Sequence, residues 1–125
     1  MDRILLVEDD HNLGLMISEL LEMNGYDVKL LRMGGKTVNN LLEDEFDLVL
    51  MDKLLSGIDG TDICAEIRKT DTISNTPILM MSALAGAKKN CIEAGATSFI
   101  AKPFEIKDLL AKVNDTINEG KASND

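Results

Sequence analysis

The chain has 125 residues, enough for one domain whose core needs no disulfide or metal staple. Apolar residues at 45% and charged residues at 28% are globular proportions, and no apolar run approaches the roughly 18 residues of a membrane span. With 22 acidic against 13 basic residues the net charge is -9, which excludes a nonspecific grip on nucleic acid by this domain and leaves any such contact to another one.

The first apolar run, Ile4-Leu5-Leu6-Val7, follows Asp2 and Arg3 and is too short for a secretion signal, so a cytoplasmic protein without membrane contact is expected. It reads as a strand over 3–7 and is followed at once by Glu8, Asp9 and Asp10. Leu13, Met16, Ile17, Leu20 and Leu21 then recur at helical spacing, and Asn24-Gly25 supplies a left-handed cap. With Met23, these positions cover about 160° of the helix circumference at roughly 100° per residue, and Leu15 falls outside even that arc. A core-facing stripe needs only about 100°, so part of this helix is expected to show apolar surface.

Further strands are expected over 27–31, 47–51, 77–81 and 98–101, and further helices over 35–43, 59–69 and 85–94. Ile106, Leu109, Leu110, Val113 and Ile117 mark a last helix. The fourth helix, around Gly86-Ala87-Lys88-Lys89, has little apolar periodicity and is expected to be the most mobile element. Five strand-then-helix repeats imply an α/β, doubly wound parallel sheet covered on both faces. One domain is expected over 1–119, with the polar segment 120–125 forming a disordered tail or the start of a linker. Cys64 and Cys91 are isolated within helical patterns and read as reduced, mostly buried thiols.

The strand ends carry the chemistry. The run Leu48-Val49-Leu50-Met51 ends on Asp52, Ile78-Leu79-Met80-Met81 ends on Ser82, and Ser98-Phe99-Ile100-Ala101 ends on Lys102-Pro103. In a parallel sheet these ends meet at one edge, where open α/β sheets bind their ligands. Clustered carboxylates at Glu8, Asp9 and Asp52 cannot all stay ionised without a cation, and hard oxygen donors suit Mg²⁺. Asp52, alone at its strand end, is then placed to act as a nucleophile toward a phosphoryl group, with Lys102 and the Ser82 hydroxyl as partners of that group. Taken singly, Asp10 and an exposed acid such as Asp59 read as helix caps, Ser82 as another, and Lys102 as a surface ammonium. The joint pattern of four complementary strand ends is not explained by capping.

Glu8-Asp9, Asp52, Asp59-Gly60, Ser82-Ala83 and Lys102-Pro103-Phe104 together resemble the signature of two-component response-regulator receiver domains, in order and spacing over nearly the whole chain. The resemblance implies a flavodoxin-like, five-stranded parallel sheet in order 2-1-3-4-5. It implies Asp52 as the phosphoacceptor, served by a histidine kinase or phosphotransfer protein, and a signalling switch rather than a turnover enzyme. Asp9 and Asp52 would bind Mg²⁺ directly, Glu8 through water, and the Leu54 carbonyl would complete the protein ligands. Lys102 would pair with the phosphoryl group, and its bond to Pro103 is usually cis in such domains. Ser82 and Phe99 would form the switch, remodelling an output surface on the fourth helix, fifth strand and fifth helix.

The first helix would dock the phosphodonor, with Leu13 among its exposed positions. Ser56 stands where these domains usually carry proline, and Leu54 and Leu84 occupy positions that tune phosphate loss; both leucines are expected to shield the acyl phosphate from water. A flavin carrier would need a Ser/Thr/Gly-rich loop in place of Glu8-Asp9-Asp10. A nucleotide hydrolase lacks its Gly-x-x-x-x-Gly-Lys loop, and an aspartyl phosphatase would want an acid where Leu54 stands. The alternative that survives is a receiver-like module that binds a partner without being phosphorylated.

Overall fold

The computed structural model describes residues 1–123; Asn124 and Asp125, part of the expected tail, lie outside the described residues. Numbering only the strands of the main sheet, the order is β1 (Arg3–Val7), α1 (His11–Met23), β2 (Asp27–Leu31), α2 (Thr37–Glu43), β3 (Leu48–Asp52), α3 (Gly60–Lys69), β4 (Ile78–Ser82), α4 (Ala87–Glu93), β5 (Ser98–Ala101) and α5 (Ile106–Ser123). All five strands are parallel, in the order β2-β1-β3-β4-β5. This is the doubly wound, flavodoxin-like arrangement the sequence implies, with strand limits within one residue of those expected.

Alternation along the strands sorts the core into two layers. Ile4, Leu6, Leu48, Leu50, Leu79 and Met81 pack with Ile17 and Leu21 of α1 and with Leu109, Val113 and Ile117 of α5. Leu5, Val7, Val49, Met51, Ile78 and Met80 face the opposite side, where Leu41 of α2, Ile63, Cys64 and Ile67 of α3 and Cys91 of α4 cover them. Both cysteines are free and fully buried, as read. β3 and β4 are buried along their whole length, the consequence of helices on both faces.

Helix starts follow the capping residues. Asp10 accepts a hydrogen bond from the Leu13 N–H at 2.9 Å, and Asp59 accepts one from the Thr61 N–H at 2.9 Å. The helix expected over 35–43 is split, with a 3₁₀ turn at Gly34–Lys36 leading into α2. The fourth helix is shorter than expected: it begins after Gly86, whose φ of 77° breaks the chain out of helical conformation. The expectation of a disordered tail from residue 120 is not met over 120–123, where α5 continues to Ser123. Gly120 lies so close to Pro77 that a Cβ would meet the ring at 2.3 Å, and Lys121 Nζ reaches Asp2 Oδ1 at 3.0 Å. These long-range contacts hold a segment whose own sequence has no apolar face.

Between β3 and α3, Leu54–Leu55 and Ile58–Asp59 form a two-residue antiparallel ladder turned by Ser56 and Gly57, the latter at φ 73°. Gly60 closes this loop. A Cβ there would meet the Asp52 carbonyl at 2.5 Å, and the Gly60 N–H donates to the Lys53 carbonyl. Only glycine lets the start of α3 come this near the end of β3.

Candidate functional site at the C-terminal edge of the sheet

The strand order reverses between β1 and β3: one neighbour of the pair leads outward to β2, the other to β4. Val7 pairs with Met51 in register, so the next residues, Glu8 and Asp52, leave the sheet side by side at this crevice. By strand alternation both continue the face shared by Leu6 and Leu50, toward α1 and α5, and Lys102 continues the same face beyond Ile100. The result is a compact charge cluster. Lys102 Nζ donates to Asp52 Oδ2 at 2.5 Å and to Glu8 Oε1 at 3.3 Å.

Glu8 is only 1% exposed and Asp52 8%. Burial, and then the charge of Asp52, push the Glu8 carboxyl up to about 7, against the opposing pull of Lys102 and of the Asp10 N–H. Burial also works against the Lys102 ammonium, but its hydrogen bonds and charge contacts with Asp52 and Glu8 outweigh that and raise its pKa. One ammonium thus serves two closely spaced acids. Glu8 is kept protonated to a higher pH than a solvated carboxyl, chiefly by its burial.

Asp9 turns to a different partner. Its Oδ2 accepts from both the backbone N–H of Ser56, at 2.7 Å, and the Ser56 hydroxyl, and the hydroxyl bond is the main cause of its lowered pKa. The Asp52 Oδ1 oxygen accepts from the Leu54 N–H at 3.0 Å. Among the described residues no three His, Cys, Asp or Glu side chains are gathered as ready ligands around one point. Magnesium needs fewer, since it takes one or two carboxylates and keeps several waters. Hard oxygen donors at Asp9 and Asp52, beside the buried Glu8 carboxyl, fit such a cation.

Ser82 is brought to the same edge but not into the cluster. It is buried, continues the opposite face of its strand, and its Oγ accepts from the Leu84 N–H at 3.1 Å. Phe99 is half-buried in β5 and packs against the layer covered by α3 and α4. Leu54 and Leu84 are 56% and 48% exposed at the mouth of the site. The Lys102–Pro103 peptide is cis.

On α1, Leu15 and Met16 are exposed, so this helix does present apolar surface; Leu13 is half-buried, correcting its expected exposure, because it packs against the α1–α5 layer. Leu13, Met16, Lys102, Pro103 and Phe104 line a shallow apolar depression of about 290 Å³ beside Lys102.

Two functional neighbours escaped sequence reading. Lys53, the residue after Asp52, is buried on the other face, and its Nζ meets Asp59 Oδ2 at 3.0 Å. Asp59 is therefore a half-buried partner as well as a cap. Burial opposes ionisation of its carboxyl, but the Thr61 bonds and Lys53 prevail and lower its pKa. The signal for this was present: a lysine inside a buried strand end needs an acid within reach. Ser56 was visible as a departure from proline, without any indication that it would bond Asp9.

Fold and pocket together define a flavodoxin-like domain with an acid–ammonium pocket at its topological switch point. Residues 4–114 match the response regulator receiver domain profile, and the chain belongs to that family of signalling modules. It is 37% identical over 115 residues to the response regulator ArlR of Staphylococcus saprophyticus, covering 90% of this chain and 51% of the relative. It is also similar to the receiver domain of sensor histidine kinase PA1611 from Pseudomonas aeruginosa, solved with a magnesium ion in the active-site cleft. That likeness has 33% identity and TM-score 0.85, covering 94% of this chain and 98% of the other. The response regulator TrrA of Thermotoga maritima, solved with Mg²⁺ and beryllium fluoride, gives 27% identity and TM-score 0.83, covering 93% and 99% of the two chains. The chain spans about half the length of the curated relatives it matches, several of which are named as transcriptional regulators. No described helix is long and apolar enough to cross a membrane.

The raised pKa of Glu8 has a definite sign for stability. The folded state holds the Glu8 proton more tightly than the unfolded chain, so this contribution is present below pH 4.5 and is lost as pH rises through about 7. In buffer with a chelator, Glu8→Gln should flatten the loss of stability across that window in urea titrations; an unchanged pH slope would contradict this charge balance.

Proposed function

We propose that this chain is a phosphorylation-dependent signalling switch of a two-component system, acting in the cytoplasm, with Asp52 as the phosphoacceptor. The observation that carries this reading is the Lys102 ammonium seated on both Asp52 and Glu8 at the switch point of the sheet. It marks Asp52 as a carboxylate in a water-poor pocket that holds a fixed ammonium beside the place where an incoming anion would sit. A histidine kinase or phosphotransfer protein would supply the phosphoryl group. An Asp52 oxygen forms the new O–P bond as the P–N bond of the donor breaks, and the electron pair returns to the imidazole nitrogen.

Asp9 and Asp52 would hold Mg²⁺ directly, Glu8 through water, and the Leu54 carbonyl would complete the protein ligands. Bound there, the cation would offset phosphoryl charge. Lys102, released from part of its contact with Asp52, would pair with the phosphoryl group. Ser82, whose oxygen accepts from the Leu84 N–H, would donate its O–H to that group, a contact that draws the loop before α4 toward Asp52. Phe99 would then alter its packing, and the surface of α4, β5 and α5 would engage the output partner. Such a switch is a population shift driven only by contacts that differ between the two states.

Mg²⁺-dependent labelling by acetyl phosphate should be abolished in Asp52→Asn and retained in Asp59→Asn. Labelling that survives in Asp52→Asn would remove the acceptor assignment, and absence of labelling in the parent would leave a partner-binding module. Leu54→Asn should hasten loss of the phosphoryl group by admitting water beside the acyl phosphate; a rate equal to or slower than the parent's would refute the shielding role. On the apolar surface of α1, Met16→Glu should slow transfer from a phosphorylated histidine protein and spare acetyl phosphate. Equal slowing with both donors would show that Met16 acts on the pocket and not on docking.

A further inference from the structure

Ser56 and Asp9 lie far apart in sequence, yet both donors of Ser56 converge on one carboxylate oxygen, Oδ2. A proline at this position has neither an N–H nor a hydroxyl and can make neither bond. The same loop reaches the second acid, because the Leu54 N–H donates to Asp52 Oδ1. It is fixed at its far end by the Lys53–Asp59 pair and by the Gly60–Lys53 backbone bond. One short ladder, Leu54–Leu55 with Ile58–Asp59, therefore orients carboxylates from two different strand ends.

From this arrangement we infer that Ser56 is a positioning residue for a divalent cation, clasping Asp9 Oδ2 so that Oδ1 is presented to the ion. The inference rests on the reading of Asp9 as a ligand. Both Ser56 bonds use the same oxygen, so clasp and cation need not compete. Carboxylates that bind metals are commonly held in this way, and losing the outer partner costs about 10- to 100-fold in affinity. The clasp also replaces the stiffness that proline would give the loop by a tie to the β1–α1 loop. Loop order thereby becomes dependent on Asp9.

Calorimetric Mg²⁺ titration of the chelator-treated chain tests this, with no donor present. Ser56→Thr should bind as the parent does, whereas Ser56→Ala, which keeps the amide but loses the hydroxyl, should bind about ten-fold more weakly. Ser56→Pro should bind more weakly still, although it stiffens the loop. Alanine and proline variants that bind as tightly as the parent, or more tightly, would overturn the inference while leaving Asp52 as acceptor intact. A parent that takes up no Mg²⁺ would overturn both. Independently of metal, Asp9→Ala, which removes the acceptor, should accelerate amide exchange at Ser56, and unchanged exchange there would show that the clasp does not form.

Discussion

The ammonium of Lys102 is what allows two acids to end neighbouring strands. Glu8 and Asp52 emerge in register from β1 and β3, buried by helices on both sides, and without a cation their mutual repulsion would fall on the centre of the sheet. Lys102 arrives from β5, the far edge of the strand order, through a backbone tie of its own N–H to the Ser82 carbonyl at 2.9 Å. A buried ion pair of this kind is weak evidence for stability, since taking the charges out of water offsets much of their attraction. On the proposed function its presence has another explanation: it would prepare a site that gains when more negative charge and a hard cation arrive together.

The β3–α3 loop solves a second problem. The chain must leave β3 at Asp52, keep that carboxylate accessible, and start α3 almost immediately. Consecutive residues at a strand end point to opposite faces, so Asp52 turns toward α1 and α5 while Lys53 is driven into the layer of α3 and α4. A lone ammonium there would be costly. Asp59 meets it and caps α3 with its other oxygen, so one side chain closes the loop, compensates a buried charge and starts a helix. Gly60 makes the close approach sterically feasible.

Much of this was legible in the sequence because it depends on short-range pattern. Apolar runs with alternating faces gave five strands, their terminal residues gave the pocket, and the caps Asp10 and Asp59 behaved as their residue type predicts. What escaped depends on who meets whom across the fold. The Ser56–Asp9 bonds join two loops, and although alternation turns Lys53 inward, which acid meets it there depends on how the loop folds back. The last turn of α5 was missed for the same reason: Gly120 weakens a helix by propensity, but its missing side chain is what lets the helix lie against Pro77. Leu13 shows the converse error, since a wide apolar arc does not say which of its edges is covered.

Under the proposed function, a switch would begin at Ser82. Ser82 and Asp52 end adjacent strands but project to opposite faces, and the Ser82 hydroxyl oxygen accepts from the backbone of its own loop. A phosphoryl group on Asp52 would extend the carboxylate outward past the strand end, to where this alternation no longer separates the two side chains. The Ser82 hydroxyl, which accepts from the Leu84 N–H, would then have a charged acceptor for its own proton, and hydrogen bonds to charged groups exceed neutral ones by roughly 1 kcal/mol. That difference is small beside the cost of reordering a packed helix. Under the proposed switch the element to be moved would be α4, which is short, lacks a side-chain cap and starts after a glycine, so a modest bias would act on a helix with few restraints at its start.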